Sequence, residues 1–109
     1  MTTAMLELEC NDITRHILPA IRASVSESLS SRYNFSQQQI ADKLGIAQVA
    51  VSKYLNGRYS ERVNKIKTLI NSQGLCEDIV KQALESDSET LNMPIQKLCS
   101  RIATLKLVY

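Results

Sequence analysis

The eighteen residues from Gln37 to Tyr54, QQQIADKLGIAQVAVSKY, constrain this chain more than any other stretch. Gly45 divides them. It lacks a Cβ, so it can take the positive φ that a sharp turn between two elements needs. Ala41, four residues earlier, is small where two helices must cross closely. Ile40, Leu44, Ile46, Val51 and Tyr54 are apolar at the positions that turn inward. Gln48, Val49, Ser52 and Lys53 are left on the outer face of the second helix. The pattern predicts two short helices joined by a tight turn, with one face of the second held out to solvent.

The rest of the chain supports an all-helical reading. In 109 residues there are three glycines and two prolines, too few to punctuate many strands. Leu, Ile, Ala, Ser, Lys, Glu and Gln dominate, and most of these are good helix formers. The length fits one domain, and 44% hydrophobic residues suffice for a modest core. Residues 1–11 show no period and read as a partly ordered arm. From Asp12 the residues Ile13, Ile17, Ile21, Val25 and Leu29 step by four, one face of a helix. Pro19 splits that run into a short helix at about 12–17 and a longer one ending near Tyr33, with Asn34 as a left-handed cap.

Ser36 is a good N-cap for the next helix, and Gln39 can complete a capping box. Gly45 closes that helix, and the second helix of the pair runs from about Gln48 to Asn56, with Gly57 as its stop. Ser60, Val63, Ile66, Leu69 and Ile70 mark another helix, stopped by Gly74, and Leu75, Ile79, Val80, Ala83 and Leu84 the next. The polar stretch Ser86–Glu89 reads as a linker. Beyond it Leu91, Ile95, Leu98, Ile102, Leu105 and Tyr109 alternate spacings of four and three, with Pro94 placed to start a helix. Such a seam suits pairing with a partner helix in a homodimer, or equally the inner face of a helix in the chain's own core. The expected organisation is a main segment at 12–74 followed by C-terminal helices at 75–109 that dimerise or complete the core.

The run S-x-x-x-I-A-x-x-L-G-I-x-x-x-x-V-S-x-Y-x-x-G, from Ser36 to Gly57, resembles the phage-repressor/Cro-like (XRE-type) helix-turn-helix. The preceding LPAIRASVSESLSSRYNFSQQQIA, from Leu18, is similar to archaeal predicted regulators of that class. The resemblance implies a DNA-binding transcriptional regulator whose second motif helix enters the major groove. Ala47 departs from the family, which often has Ser or Thr there; the loss of that cap costs roughly 1 kcal/mol and removes one phosphate contact.

Base readout needs hydrogen-bonding or apolar side chains on the first turns of that helix. Gln48 can pair with N6 and N7 of adenine, Val49 and Ala47 can touch a thymine methyl, Ser52 is permissive, and Lys53 reaches guanine acceptors or a phosphate. Gln37 opens the first motif helix, where amides and the helix dipole favour a backbone phosphate. Arg58 resembles the basic residue that follows Asn-Gly in the family and is expected on phosphate, with Arg62 extending the footprint and Lys65 and Lys67 beyond it. Charge agrees: residues 32–67 hold seven Lys and Arg against two acids, whereas the flanking segments are net acidic. A single such motif buries little surface, so a homodimer with a seam at Leu91, Ile95, Leu98, Ile102 and Leu105 is the expected assembly on duplex DNA.

Other functions have less to stand on. His16 is the sole histidine and has no Ser/Asp set spaced to join it, and there is no Gly-rich phosphate loop. No enzyme, cofactor, small-molecule ligand or metal site is expected. The three cysteines, Cys10, Cys76 and Cys99, have no C-x-x-C spacing, and Gln96 stands where a closely spaced partner to Cys99 would be. With no signal peptide and no long apolar run, the chain reads as cytoplasmic, nucleoid-associated when on DNA, without a membrane partner. Two rival readings keep the fold and change the partner: a protein-interaction module (antitoxin-like or a virus-encoded adaptor), and a non-specific architectural DNA binder.

Overall fold

The computed structural model describes residues 13–85 and 91–105. Among them it contains helices and no strand. A π-helical turn at Ile13–Ile17 leads into α1 (Leu18–Tyr33), α2 (Gln37–Leu44), α3 (Gln48–Leu55), α4 (Glu61–Gln73), α5 (Glu77–Glu85) and α6 (Asn92–Leu105). The arm at 1–11, the linker at Ser86–Glu89 and Tyr109 lie outside the described residues.

The short element ends at Ile17 and the longer helix runs Leu18–Tyr33, the division the sequence predicts, but the backbone stays helical across it. Ile17 is itself helical, at φ −74 and ψ −49, and Pro19 sits in the first turn of α1. The proline ring would meet the carbonyl four residues back, and the turn there is the wider π type. Asn34 takes the left-handed cap at φ 58, its N–H and that of Phe35 returning to the last turn of α1.

The central element is α1. It touches the π turn and every other helix. Ile17, Ile21, Val25 and Leu29 are fully buried, as the step of four predicts. Ala20, Ala23, Ser24 and Ser26 are buried as well, so α1 is enclosed on several sides. Those small side chains let neighbouring backbones approach closely.

Helices α2 and α3 form the crossed pair. Ile40, Leu44 and Val51 are fully buried and Ala41 nearly so; Ile46 and Leu55 pack on the same cluster. Gly45 takes φ 66, and its N–H and that of Ile46 both return to the Ala41 carbonyl. A side chain at residue 45 would be strained in that left-handed conformation.

Two helical faces differ from the sequence reading, and both involve a cysteine. In α5 the buried stripe is Cys76, Ile79, Val80 and Ala83, at i, i+3, i+4 and i+7. Leu84 is rotated off it and is 40% exposed. In α6 the buried set is Leu91, Ile95, Leu98, Cys99 and Ile102. With Cys99 included, the stripe is broader than a strict coiled-coil seam and is the inner face of a globular helix.

That burial fits the second of the two roles expected for this seam, the inner face of the chain's own core. Leu91, Ile95, Leu98 and Ile102 are at most 7% exposed in a single chain and belong to the same cluster as Ile17 and Ile40. Helix α6 lies against the π turn and α1, and the Leu91 N–H donates to the Lys43 carbonyl at the end of α2 (2.9 Å). These four side chains are therefore engaged within the chain and offer no face to a second copy; the side chain of Leu105 lies outside the described residues. The described residues on either side of residue 74 share one core.

Charging this seam is expected to unfold the protein rather than dissociate it. The double substitution Leu98→Glu with Ile102→Lys places charge in an apolar interior and should lower stability by more than about 3 kcal/mol. Urea unfolding followed by circular dichroism checks this. A fully folded double mutant that differs only in its sedimentation coefficient would return the seam to an intermolecular contact.

Candidate nucleic-acid interface

The motif helices are fixed by caps that leave one surface open. Ser36 accepts from the Gln39 N–H (3.1 Å), and the Gln39 side chain accepts from the Ser36 N–H (2.8 Å), a complete capping box. Gln37 follows as the first residue of α2 and is half-buried. In α3 the N-cap is Ala47, extended at φ −71 and ψ 148, with no side-chain hydrogen bond. The start of α3 thus presents backbone amides with no hydroxyl in front of them.

The residues singled out from the sequence fall on this open surface. Ala47, Gln48 and Lys53 are exposed, and Val49 is 71% exposed, the highest value among the exposed large hydrophobics. Ser52 is half-buried, and Asn56 Nδ2 donates to its carbonyl (2.8 Å) and its hydroxyl (3.3 Å). Residues 48, 49, 52 and 53 lie on one helical face. Tyr54, on the other side, is half-buried.

The connection after α3 is also held. Asn56 ends the helix, and Gly57 follows at φ 70. The Arg58 N–H donates to the Lys53 carbonyl (2.9 Å), which keeps the exposed Arg58 beside the outer face of α3. Ser60 then caps α4 by accepting from the Val63 N–H (3.2 Å), and Arg62 in its first turn is exposed.

Charge is distributed more narrowly than the sequence implies. Arg32 and Lys67 are matched by acids from outside the 32–67 window. Arg32 pairs with Glu77 (3.1 Å), which raises its pKa. Lys67 pairs with Glu27 (2.7 Å) and also donates to the Tyr59 hydroxyl (2.7 Å). Burial alone would lower the Lys67 ammonium, but its hydrogen bonds to Glu27 and Tyr59 outweigh that and leave its pKa raised. Lys67 is thus taken up inside the fold. The exposed positive charge centres on Lys53 and Arg58, with Arg62 and Lys65 beyond.

Residues 32–70 match the family model described as Helix-turn-helix. This segment is a helix-turn-helix of the phage-repressor/Cro-like class. No curated protein and no solved structure matches the chain. The helix-turn-helix accounts for α2, α3 and most of α4, and supports a DNA-binding regulator. None of the helices among the described residues is long and apolar enough to cross a membrane.

The Glu27, Tyr59 and Lys67 cluster escapes sequence inspection, as does a polar cleft of about 270 Å³ between α1, α4 and α5, lined by Ser24, Glu27, Asn71, Cys76 and Glu77 among others. Several of its polar groups are partnered: Ser24 with Asn71, Arg32 with Glu77, Glu27 with Lys67. The signal in the sequence was a glutamate between Val25 and Leu29, beside an inward face.

Two thiols in the core give a pH-dependent stability. Burial pushes Cys76 and Cys99 up to about 11 each; the Ser24 hydrogen bond opposes this at Cys76 and the charge of Arg22 opposes it at Cys99. The unfolded chain loses these protons first, so stability is unaffected below about pH 9 and falls as pH rises toward 11. The loss approaches about 2–3 kcal/mol for each thiol. Urea midpoints measured from pH 7 to 11 on the wild type and on Cys76→Ala with Cys99→Ala check this: the alkaline slope should be shallower in the double mutant.

Proposed function

We propose that this chain is a sequence-specific regulator that reads the major groove of double-stranded DNA with the first turns of α3. The observation that carries the reading is the exposure of Val49 between Gln48 and Lys53. An apolar side chain left 71% exposed at the start of a capped, well-packed helix suits contact with a thymine methyl. Gln48 pairs with the adenine edge, Lys53 reaches guanine or phosphate, and Ala47 and Ser52 border them. Gln37, Arg58 and Arg62 hold the backbone on either side. The protein works in the cytoplasm, on the nucleoid.

A homodimer on a two-fold operator completes the proposal, because one motif makes too few contacts for tight specific binding. Since the α6 seam is buried, that contact uses another surface. Selection of bound duplexes from a random DNA pool tests the whole reading. A two-fold related pair of half-sites is the expected product. Enrichment of a single half-site would remove the dimer. No enrichment, with binding that follows salt alone, would leave an architectural binder, and no binding to any duplex would leave a protein-interaction module.

The side chains should separate into two classes. Gln48→Ala and Lys53→Ala are expected to weaken the selected site by about 1–3 kcal/mol each while hardly changing affinity for random duplex. Equal losses on both would show that they do not read sequence. Arg58→Ala should weaken every duplex alike and reduce the slope of log K against log salt by about one. An unchanged slope takes Arg58 out of the interface.

A further inference from the structure

The Glu27 carboxylate, the Tyr59 phenol and the Lys67 ammonium close a ring of three hydrogen bonds. Lys67 donates to Glu27 Oε2 (2.7 Å) and to the Tyr59 hydroxyl (2.7 Å), and that hydroxyl donates to Glu27 Oε2 (3.2 Å). The three residues come from different elements: Glu27 from the middle of α1, Lys67 from α4, and Tyr59 from the connection between α3 and α4. The Lys67 side chain is 14% exposed, so the ammonium is shielded from water, while the Glu27 side chain is 36% exposed. Tyr59 packs its body against the hydrophobic cluster; its hydroxyl links the 56–60 connection into this ring by hydrogen bonds, and the Lys67 ammonium also lies over its aromatic face, 5.3 Å from the centroid.

That connection has an intrinsic weak point. Gly57 is at φ 70 with nothing within 4 Å of where a Cβ would stand. Packing does not restrain it from the side. Hydrogen bonds hold it instead: the Gly57 N–H donates to the Tyr54 carbonyl (3.3 Å), the Tyr59 N–H donates to the Gly57 carbonyl (3.0 Å), the Arg58 N–H donates to the Lys53 carbonyl, and the Tyr59 hydroxyl bonds to Glu27 and Lys67. Arg58 is tied to α3 by its own N–H and to the ring through its neighbour Tyr59.

We infer that Glu27, Tyr59 and Lys67 are positioning residues that clamp the 56–60 connection and so fix Arg58 against the DNA backbone. The inference rests on the DNA reading proposed above, but the clamp itself has a readout that needs no DNA. Substrate contact is not assigned to any of the three; they act through Arg58.

The substitution Tyr59→Phe removes the hydroxyl and keeps the packed ring, so the fold is retained. In the full chain, amide exchange at Arg58 should rise at least about threefold, while exchange in the core of α1 stays as in the wild type. On DNA, Tyr59→Phe should weaken specific and random duplexes alike, by about three- to tenfold, the scale of one ordinary hydrogen bond. In an Arg58→Ala background the same substitution should cost no further affinity, because the residue it positions is gone. Glu27→Gln, which keeps the shape and discharges the carboxylate, should reproduce the pattern. Unchanged exchange at Arg58 overturns the clamp. So does a loss of affinity that persists in full in the Arg58→Ala background, which would place the Tyr59 hydroxyl on DNA itself. If the wild-type chain binds no duplex, the DNA reading falls, and exchange at Arg58 alone decides whether the clamp exists.

Discussion

The enclosure of α1 is the constraint on which the other helices depend. A helix touched by every other helix must bury more than one face, and it can do so only if most of the added faces are small. Ala20, Ala23 and Ser24 meet that requirement beside the larger stripe of Ile17, Ile21, Val25 and Leu29. Each fully buried aliphatic side chain contributes about 1.5–3 kcal/mol, and here α1 supplies three and the π turn before it the fourth. The orientation of α3 toward solvent follows from this. Val51 goes inward to the core around α1, and the positions two residues away on the helix, Val49 and Lys53, are turned outward.

Local rules made much of the fold legible. Asn34, Ser36, Gly45, Ser60 and Gly74 all occupy the cap positions that their side chains, or lack of one, suit. Each of these choices is decided within about four residues, so no tertiary knowledge is needed. The two misread faces share a cause: Cys76 and Cys99 were left out of the apolar stripes, although a free thiol buries as readily as a small hydrophobe. Restoring Cys76 drops Leu84 from the inner face of α5, and restoring Cys99 broadens α6 from a seam into a core face.

The outer face of α3 was legible for a related reason. Once Val51 and Tyr54 are assigned inward, Gln48, Val49 and Lys53 have nowhere else to go. The basic footprint was only partly legible, because charge counted along a sequence ignores acids that come from elsewhere in the fold. Glu27 lies 40 residues from Lys67 and 32 from Tyr59. Pairings at that separation follow no period, and they withdraw Lys67 from the surface that its place in the chain seemed to give it.

The hydrogen bond from Leu91 to Lys43 and the packing of α6 on the π turn join the two ends of the described chain. This shapes how the protein comes into being on the ribosome. When α3 has emerged, the groove-reading helix already exists in sequence, but the cluster that receives α6 is still open. Ile17 and its neighbours then expose apolar surface until residues near 102 arrive. Closure joins residues some 80 positions apart, a slow step compared with zipping local helices. Among the described residues, the core that supports the reading helix is therefore closed by a helix that does not carry any of the reading residues.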